Sequence, residues 1–191
     1  MKFTRTDISD VVICEPIIHG DSRGYFVETF RQDKLEEFLG YKMDFCQDNE
    51  SKSSKGVLRG LHYQLAPAAQ TKLVRVIQGS VLDVAVDIRK NSPTFGQHVA
   101  VKLTSDNKKQ LLVPRGFAHG FVVLEDDTTF AYKVDNYYSP QNDRGIASDD
   151  IDLNIDWILN KDELNLSDKD KVQPLLKDTN DLFEYGVDLY E

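Results

Sequence analysis

Apolar residues along this chain fall in short alternating runs separated by turn-forming residues, so the dominant period is two and not 3.6. The segments "VVICEPI" (11–17), "GYFVETF" (24–30), "GVLRGLHYQ" (56–64), "TKLVRVIQGSVLDVAVDI" (71–88), "GQHVAVKL" (96–103), "KQLLVP" (109–114), "GFVVL" (120–124) and "TTFAYKVDNYY" (128–138) read as strands. Gly20-Asp21, Gly79-Ser80, Ser92-Pro93, Ser105-Asp106-Asn107 and Asp126-Asp127 punctuate them. Several short strands at such spacing predict an antiparallel sandwich or barrel. One helix is expected over "DKLEEFLG" (33–40), with Asp33 as N-cap, Leu35, Phe38 and Leu39 on one side, and Gly40 just past its end. From about residue 140 the pattern gives way to an acidic, irregular tail with one or two short helices. Trp157 and scattered Ile and Leu are expected to pack this tail over the β core. With no internal repeat and no Gly/Ser- or Pro-rich linker, residues 1–191 are expected to form a single domain.

Alternation also assigns faces. Phe130, Tyr132 and Val134 share one side of their strand, which points Tyr132 inward, while Ala131 and Lys133 take the other. Lys72 keeps company with Val74 and Val76, and Leu73 with Arg75. A lysine on an apolar, inward face is unusual, because an ammonium is rarely buried without a partner or a job. In "GVLRGLHYQ", Arg59 and His62 fall on opposite faces under strict alternation. They are either decoration on a half-exposed strand or the chemistry of a pocket that the strand lines. Gly60 between them permits a bulge that would re-aim one of the two.

Charge narrows the function classes. The chain carries 23 Lys and Arg against 32 Asp and Glu, a net −9, which argues against a nucleic-acid partner. A small anionic ligand is still compatible, since a few converging cations can hold a phosphate whatever the overall charge. No apolar run approaches the roughly 18 residues of a membrane span, and "MKFTRTDISD" lacks the apolar core of a signal peptide. A cytoplasmic protein is therefore expected, with Cys14 and Cys46 reduced.

Polar clusters sit on or beside the strands: "HGDSRGYFVETF" with Arg23 and Glu28, "CQDNES" with Gln47 and Asn49, "GVLRGLHYQ", "QTKLVRV", and "VPRGFAHGF" with Arg115 and His119. Two strand histidines in a small β fold raise a metal site. "PRGFAH" (114–119) has the Pro-x-Gly-x-x-His spacing of the second half of a metal-binding cupin motif. The first half would need His-x-His, but "LHYQ" puts Gln64 where the second histidine belongs. One or two imidazoles without a carboxylate make a poor divalent site. No metal is expected.

The motifs "DSRGYFVETF", "QDNESKSSKGVLRGLHYQ", "QTKLVRVIQGSVLDVAVDIRKNSPTFG", "LLVPRGFAHGF" and "LSDKD" run in order over most of the chain. Together they resemble the dTDP-4-dehydrorhamnose 3,5-epimerase family, cofactor-free cupins of deoxysugar biosynthesis. The resemblance implies a mainly β, cupin-type jelly-roll sandwich with a few short helices, assembled as a homodimer whose N-terminal strands reach toward the partner. It implies His62 as general base, Tyr132 as general acid, Asp170 as the carboxylate paired with that histidine, and Lys72 beside the substrate's ketone oxygen. Arg23, Glu28, Gln47, Asn49, Arg59, His119 and Lys169 match positions that hold the nucleotide, diphosphate or sugar, and Tyr138 sits near the sugar pocket. Asp143 stands where the family usually has Glu. "GIASDDIDL" (145–153) replaces a stretch that typically carries Trp and Pro, and Ile158 follows Trp157 where Pro is usual. These departures bear on nucleotide fit more than on chemistry.

The implied reaction accounts for the residue types. A ketone at C4 acidifies the C–H bonds at C3 and C5 alike, so one carbonyl serves two inversions without a cofactor. Imidazole, with a pKa near 6.5, suits the base, and a carboxylate orients it. Phenol, with a pKa near 10, stays protonated and can deliver a proton to the opposite side. An ammonium placed beforehand stabilises the enolate on O4, and Arg23 and Arg59 suit phosphate oxygens. An epimerase acting at C3 or C5 only would use the same groups, and a metal-dependent cupin is the rival of another class.

Overall fold

The structure, a computed structural model, describes residues 1–190. In chain order the strands are β1 (Lys2–Arg5), β2 (Val12–Glu15), β3 (Ile18–Asp21), β4 (Gly24–Val27), β5 (Gln47–Ser53), β6 (Val57–Gln64), β7 (Lys72–Gln78) and β8 (Ser80–Asp87). There follow β9 (Arg89–Lys90), β10 (His98–Thr104), β11 (Gln110–Val113), β12 (Phe117–Val123), β13 (Thr128–Val134), β14 (Asp143–Gly145), β15 (Asn165–Leu166) and β16 (Phe183–Glu184). One sheet has the order β1-β2-β11-β7-β13-β5, and a second has β10-β8-β12-β6-β14, with β15 added alongside β6. The cupin-type jelly-roll expected from the resemblance is what the chain forms.

Three apolar layers hold the sheets. Between them lies a core of Val74, Val76, Leu111 and Phe130 from the first sheet against Val81, Ala85, Phe117 and Phe121 from the second. The outer side of the first sheet, at Val12, Cys14, Leu73 and Leu112, is covered by Leu35 of helix α1 (Gln32–Leu39) and by Met43. The outer side of the second, at Leu58, Leu61, Leu82 and Val84, is covered by the tail through Ile146, Leu153, Trp157 and Leu176. Strand β8 is therefore buried on both faces along its whole length, as expected for a central strand covered on both sides. The tail is irregular, as expected, with 3₁₀ turns at Lys161–Glu163, Asp170–Val172 and Leu176–Asp178. The Trp157 indole is buried and donates to the Ser148 carbonyl (2.8 Å). Cys14 and Cys46 are both free thiols.

Some expected elements differ in detail. The helix begins two residues earlier, with Arg31 and not Asp33 at the cap position. The Asp33 carboxylate is engaged by the Arg31 guanidinium (2.7 and 2.5 Å). Gly40 does close the helix in the left-handed region, φ 84°. "GYFVETF" is strand only to Val27 and pairs with β3 alone, forming an exposed arm on which Tyr25 and Phe26 are 60% and 70% accessible. Residues 135–138 leave the sheet after Val134. The polar segment "QDNESKS" forms β5, a strand without apolar alternation, and β1 and β3 also lie outside the strands read from the pattern. Ile158, where the resemblance leads to proline, has φ 68°, a region closed to a proline ring.

Candidate active site

A cleft between the two sheets collects the chemistry. His62 and Arg59 reach it from β6, His119 from β12, Lys72 from β7 and Tyr132 from β13, all on the wall of one cavity of about 460 Å³. Strict alternation would have separated Arg59 from His62. The ladder resolves this, because His119 opposes His62 while Phe121 opposes Arg59, so β6 carries one residue more than β12 over that stretch. Gly60 is the extra residue. Its φ is +127°, and a Cβ there would come within 2.5 Å of the Gly120 Cα and 2.8 Å of the His119 carbonyl oxygen. Only glycine allows so close an approach of the two backbones. A neighbouring cavity of about 280 Å³ shares His62, Lys72 and Tyr132 and is also walled by Gln47, Asn49, Tyr138 and Asp143.

The tail supplies the partner of His62. Asp170, at the start of a 3₁₀ turn, lies 2.5 Å from the His62 Nε2 through its Oδ1, and its Oδ2 accepts from the Ser167 hydroxyl (2.9 Å). The Asp170 side chain is 4% exposed and that of His62 is 31% exposed. Burial by itself would raise the Asp170 carboxyl, but the His62 hydrogen bond and charge, with Ser167, bring it below the usual range. The dyad thus has an ionised carboxylate holding an imidazole that solvent or ligand can still reach.

On the other sheet, burial raises the Tyr132 phenol, only partly opposed by Arg59, so the hydroxyl keeps its proton at neutral pH. Phe130, on the same face two residues earlier, packs beside it. Burial also lowers the Lys72 ammonium to about 8, with Asp83 and Asp143 resisting. The inward face of Lys72, Val74 and Val76 is as the alternation led one to expect.

The remaining positions sort cleanly. On β5 the inward residues include Gln47 and Asn49, joined by a hydrogen bond from the Gln47 Nε2 to the Asn49 Oδ1 (2.8 Å). Arg59 donates to the Ser53 hydroxyl (3.2 Å). Asp143, one methylene short of the family's usual glutamate, accepts from the Tyr138 hydroxyl (3.1 Å) and pairs with Lys169. Gln47, Asn49, Arg59, His119, Tyr138, Asp143 and Lys169 are thereby brought together with the four residues expected to carry the chemistry. Arg23 and Glu28 are not. Arg23 is 88% exposed at the tip of the β3–β4 arm, paired with Asp21 (2.5 Å), and Glu28 pairs with Arg31 (3.5 Å), both outside the cleft of their own chain. Arg115 serves the fold, donating to Asp135 (3.1 Å) and stacking on Tyr190.

Among the residues that escaped the sequence reading, two bear on the histidines. One is Ser167. The other is Asp83, fully buried on β8, whose two oxygens both lie 3.0 Å from the His119 Nε2. A signal for it was available: a lone carboxylate inside the apolar run "SVLDVAV" must have a partner. Burial lowers His119 despite Asp83, and Lys72 and His62 lower it further. That ring is therefore neutral at pH 7.

Among the described residues no three His, Cys, Asp or Glu are grouped so as to hold a metal ion, and no helix is long and apolar enough to cross a membrane. The family model described as dTDP-4-dehydrorhamnose 3,5-epimerase matches residues 5–178. The dTDP-4-dehydrorhamnose 3,5-epimerase of Shigella flexneri is 56% identical over 170 residues, 89% of this chain and 93% of that protein. Its counterpart in Pseudomonas aeruginosa is 50% identical, over 90% and 93% of the two chains. Among solved structures, the dTDP-6-deoxy-D-glucose-3,5-epimerase of Legionella pneumophila in complex with dTDP-4-keto-L-rhamnose superposes with a TM-score of 0.93 at 48% identity, covering 97% and 99% of the two chains. Extent, identity and fold agree, and the chain belongs to the dTDP-4-dehydrorhamnose 3,5-epimerase family.

Proposed function

We propose that this protein inverts C3 and C5 of dTDP-4-dehydro-6-deoxy-D-glucose, giving dTDP-4-dehydro-L-rhamnose by proton transfer through an enolate, without a cofactor. The observation that carries the reading is the His62–Asp170 dyad on one sheet with Tyr132 and Lys72 on the other. A sugar ring lying between the sheets meets a base on one face and an acid on the other, as inversion at carbon requires. With Nε2 donating to the ionised Asp170, the His62 lone pair is on Nδ1, and the carboxylate stabilises the imidazolium that forms. Tyr132, held protonated by burial, delivers the new proton. Lys72 stabilises charge on O4 as the C–H bond breaks. Arg59, Gln47, Asn49, His119, Tyr138, Asp143 and Lys169 form the surrounding contacts for nucleotide, diphosphate and sugar.

The position of Arg23 and Glu28 supports a homodimer. Both sit on an arm that projects Tyr25 and Phe26 into solvent, and an arm of this kind places its residues in a neighbour's cleft more readily than in its own. The partner subunit's Arg23 and Glu28 would complete the diphosphate and nucleotide contacts. The protein works in this reading as one domain over residues 1–191, in the cytoplasm, with no nucleic-acid or membrane partner.

The test is NMR of the 4-keto sugar in D₂O, following deuterium and configuration at C3 and C5 separately. The wild-type protein should exchange and invert both carbons. Inversion at one carbon alone would reassign it as a monoepimerase. His62→Asn should abolish wash-in and inversion together. Tyr132→Phe should retain some wash-in while inversion falls by about 10²–10⁴-fold, the usual loss for a general acid–base group. Near-normal inversion by His62→Asn would sink the mechanism.

A further inference from the structure

The carboxylate partner of His62 comes from the irregular part of the chain. Asp170 lies 108 residues beyond that histidine, in a tail registered on β6 through β15. There Asn165 and Leu166 run parallel to Val57 and Leu58, and the Asn165 N–H donates to the Gly56 carbonyl (2.8 Å). Ser167 follows directly and opens the 3₁₀ turn that carries Asp170. The strand bearing the imidazole and the turn bearing its carboxylate are therefore joined at Ser167.

The Ser167 hydroxyl holds Asp170 twice. It accepts from the Asp170 N–H (3.2 Å) and donates to the Asp170 Oδ2 (2.9 Å). The Ser167 carbonyl closes the turn, accepting from the N–H groups of Asp170 (3.0 Å) and Lys171 (3.1 Å). A hydroxyl that only capped the turn would need to accept and nothing more. Here its proton goes to the carboxylate, and with Oδ2 so engaged Oδ1 faces the His62 Nε2 (2.5 Å). Among the described residues no other group bonds to this carboxylate. With the Asp170 side chain 4% exposed, solvent is a poor substitute for a lost donor.

Resting on the epimerase reading above, we propose that Ser167 is a positioning residue of the reaction: its hydroxyl turns Asp170 so that Oδ1 meets the His62 Nε2, which leaves the Nδ1 lone pair for the substrate. Without that hydroxyl the carboxylate can rotate away from the ring edge, and the imidazole is no longer held in one tautomer. The other tautomer presents an N–H to the sugar and takes no proton from it. Ser167 also lines the cavity, and a direct contact with the sugar, in place of action through Asp170, would show in KM.

The test is Ser167→Ala, followed by kinetics and by ¹⁵N NMR of the histidine rings. The kcat should fall about 10–100-fold, the scale of a hydrogen bond to a buried charge, while KM changes by less than about threefold. Deuterium wash-in at C3 and C5 should fall with kcat, because proton removal is the step impaired. In alkaline buffer, where imidazole is neutral, the wild-type His62 should be the Nε2–H tautomer and that of Ser167→Ala a mixture. Ser167→Thr, which keeps the hydroxyl, should retain the single tautomer and a kcat within about threefold of wild type. Asp170→Asn/Ser167→Ala should be no slower than Asp170→Asn alone, since Ser167 acts through that carboxylate. A single tautomer or a normal kcat in Ser167→Ala would overturn the assignment. So would a loss confined to KM, or additive losses in the double variant. Should Ser167→Ala not fold, Ser167→Cys, a weak donor of similar shape, is read in its place, and failure of both to fold would make Ser167 structural. Wild-type protein that neither exchanges nor inverts the sugar would sink the epimerase reading and this assignment together. A normal kcat for Ser167→Ala in an active enzyme would sink only the assignment.

Discussion

Methionine at position 72 keeps the stem that packs beside Val74 and removes the ammonium. Burial has brought that ammonium from 10.5 to about 8, the attraction of Asp83 and Asp143 included. At pH 7 the folded chain therefore carries a cation that it holds less well than water does. At 1.36 kcal/mol per pH unit the penalty is roughly 3 kcal/mol. The sign follows from a base whose folded pKa lies below its unfolded one: the unfolded chain binds the proton more tightly, so the penalty is fully present below pH 8. Stability then rises with pH between about 8 and 10.5, and the penalty disappears where both states are neutral. We predict that Lys72→Met is more stable than wild type by roughly 2–3 kcal/mol at pH 7. The gap should close to about 0.5 kcal/mol by pH 10.5. Turnover should meanwhile fall by about 10²–10³-fold, the usual effect of removing one such electrostatic group. Urea denaturation at fixed protein concentration, repeated at pH 7, 8.5 and 10, reads the stability, since m should change little while the midpoint moves. A variant less stable than wild type at pH 7, or a gap that does not change with pH, would refute the view that Lys72 is a charge held in the cleft at the expense of the fold.

Two further outcomes are expected. Gly60→Ala puts a Cβ 2.5 Å from the Gly120 Cα at φ +127°, so it should cost about 2–4 kcal/mol and shift Arg59 and His62 relative to the cleft. A melting temperature and kcat both close to wild type would show that the bulge does not need glycine. Turnover should survive exhaustive dialysis against EDTA, and a loss restored by one divalent ion would overturn the cofactor-free reading.

Much of the sandwich could be read from period-two alternation because each strand's inward face is written in neighbouring residues. The faces of Lys72, Tyr132 and Phe130 were legible for that reason. Strand β5 was not. One of its faces lines the polar cleft and the other meets solvent, so neither side needed apolar residues and no alternation marked it. The motif resemblance, which spans most of the chain, led to all four of His62, Lys72, Tyr132 and Asp170, although nothing local joins Asp170 to a histidine 108 residues earlier.

Other features depend on contacts between segments remote in the chain. Whether Arg59 and His62 could share a face rested on how closely Gly60 and Gly120 approach across two strands, and a residue string only permits such a bulge. Asp83 stands out in its apolar run as a lone carboxylate that needs a partner, but only the fold shows that the partner is His119. Arg23 and Glu28 belong to the matching motifs, yet the arm that carries them leaves its own cleft. Side-chain direction along one strand is set by covalent geometry over two residues. The pairing of charges across strands, tail and arm is set by which surfaces pack, and burial then makes each of those pairings consequential.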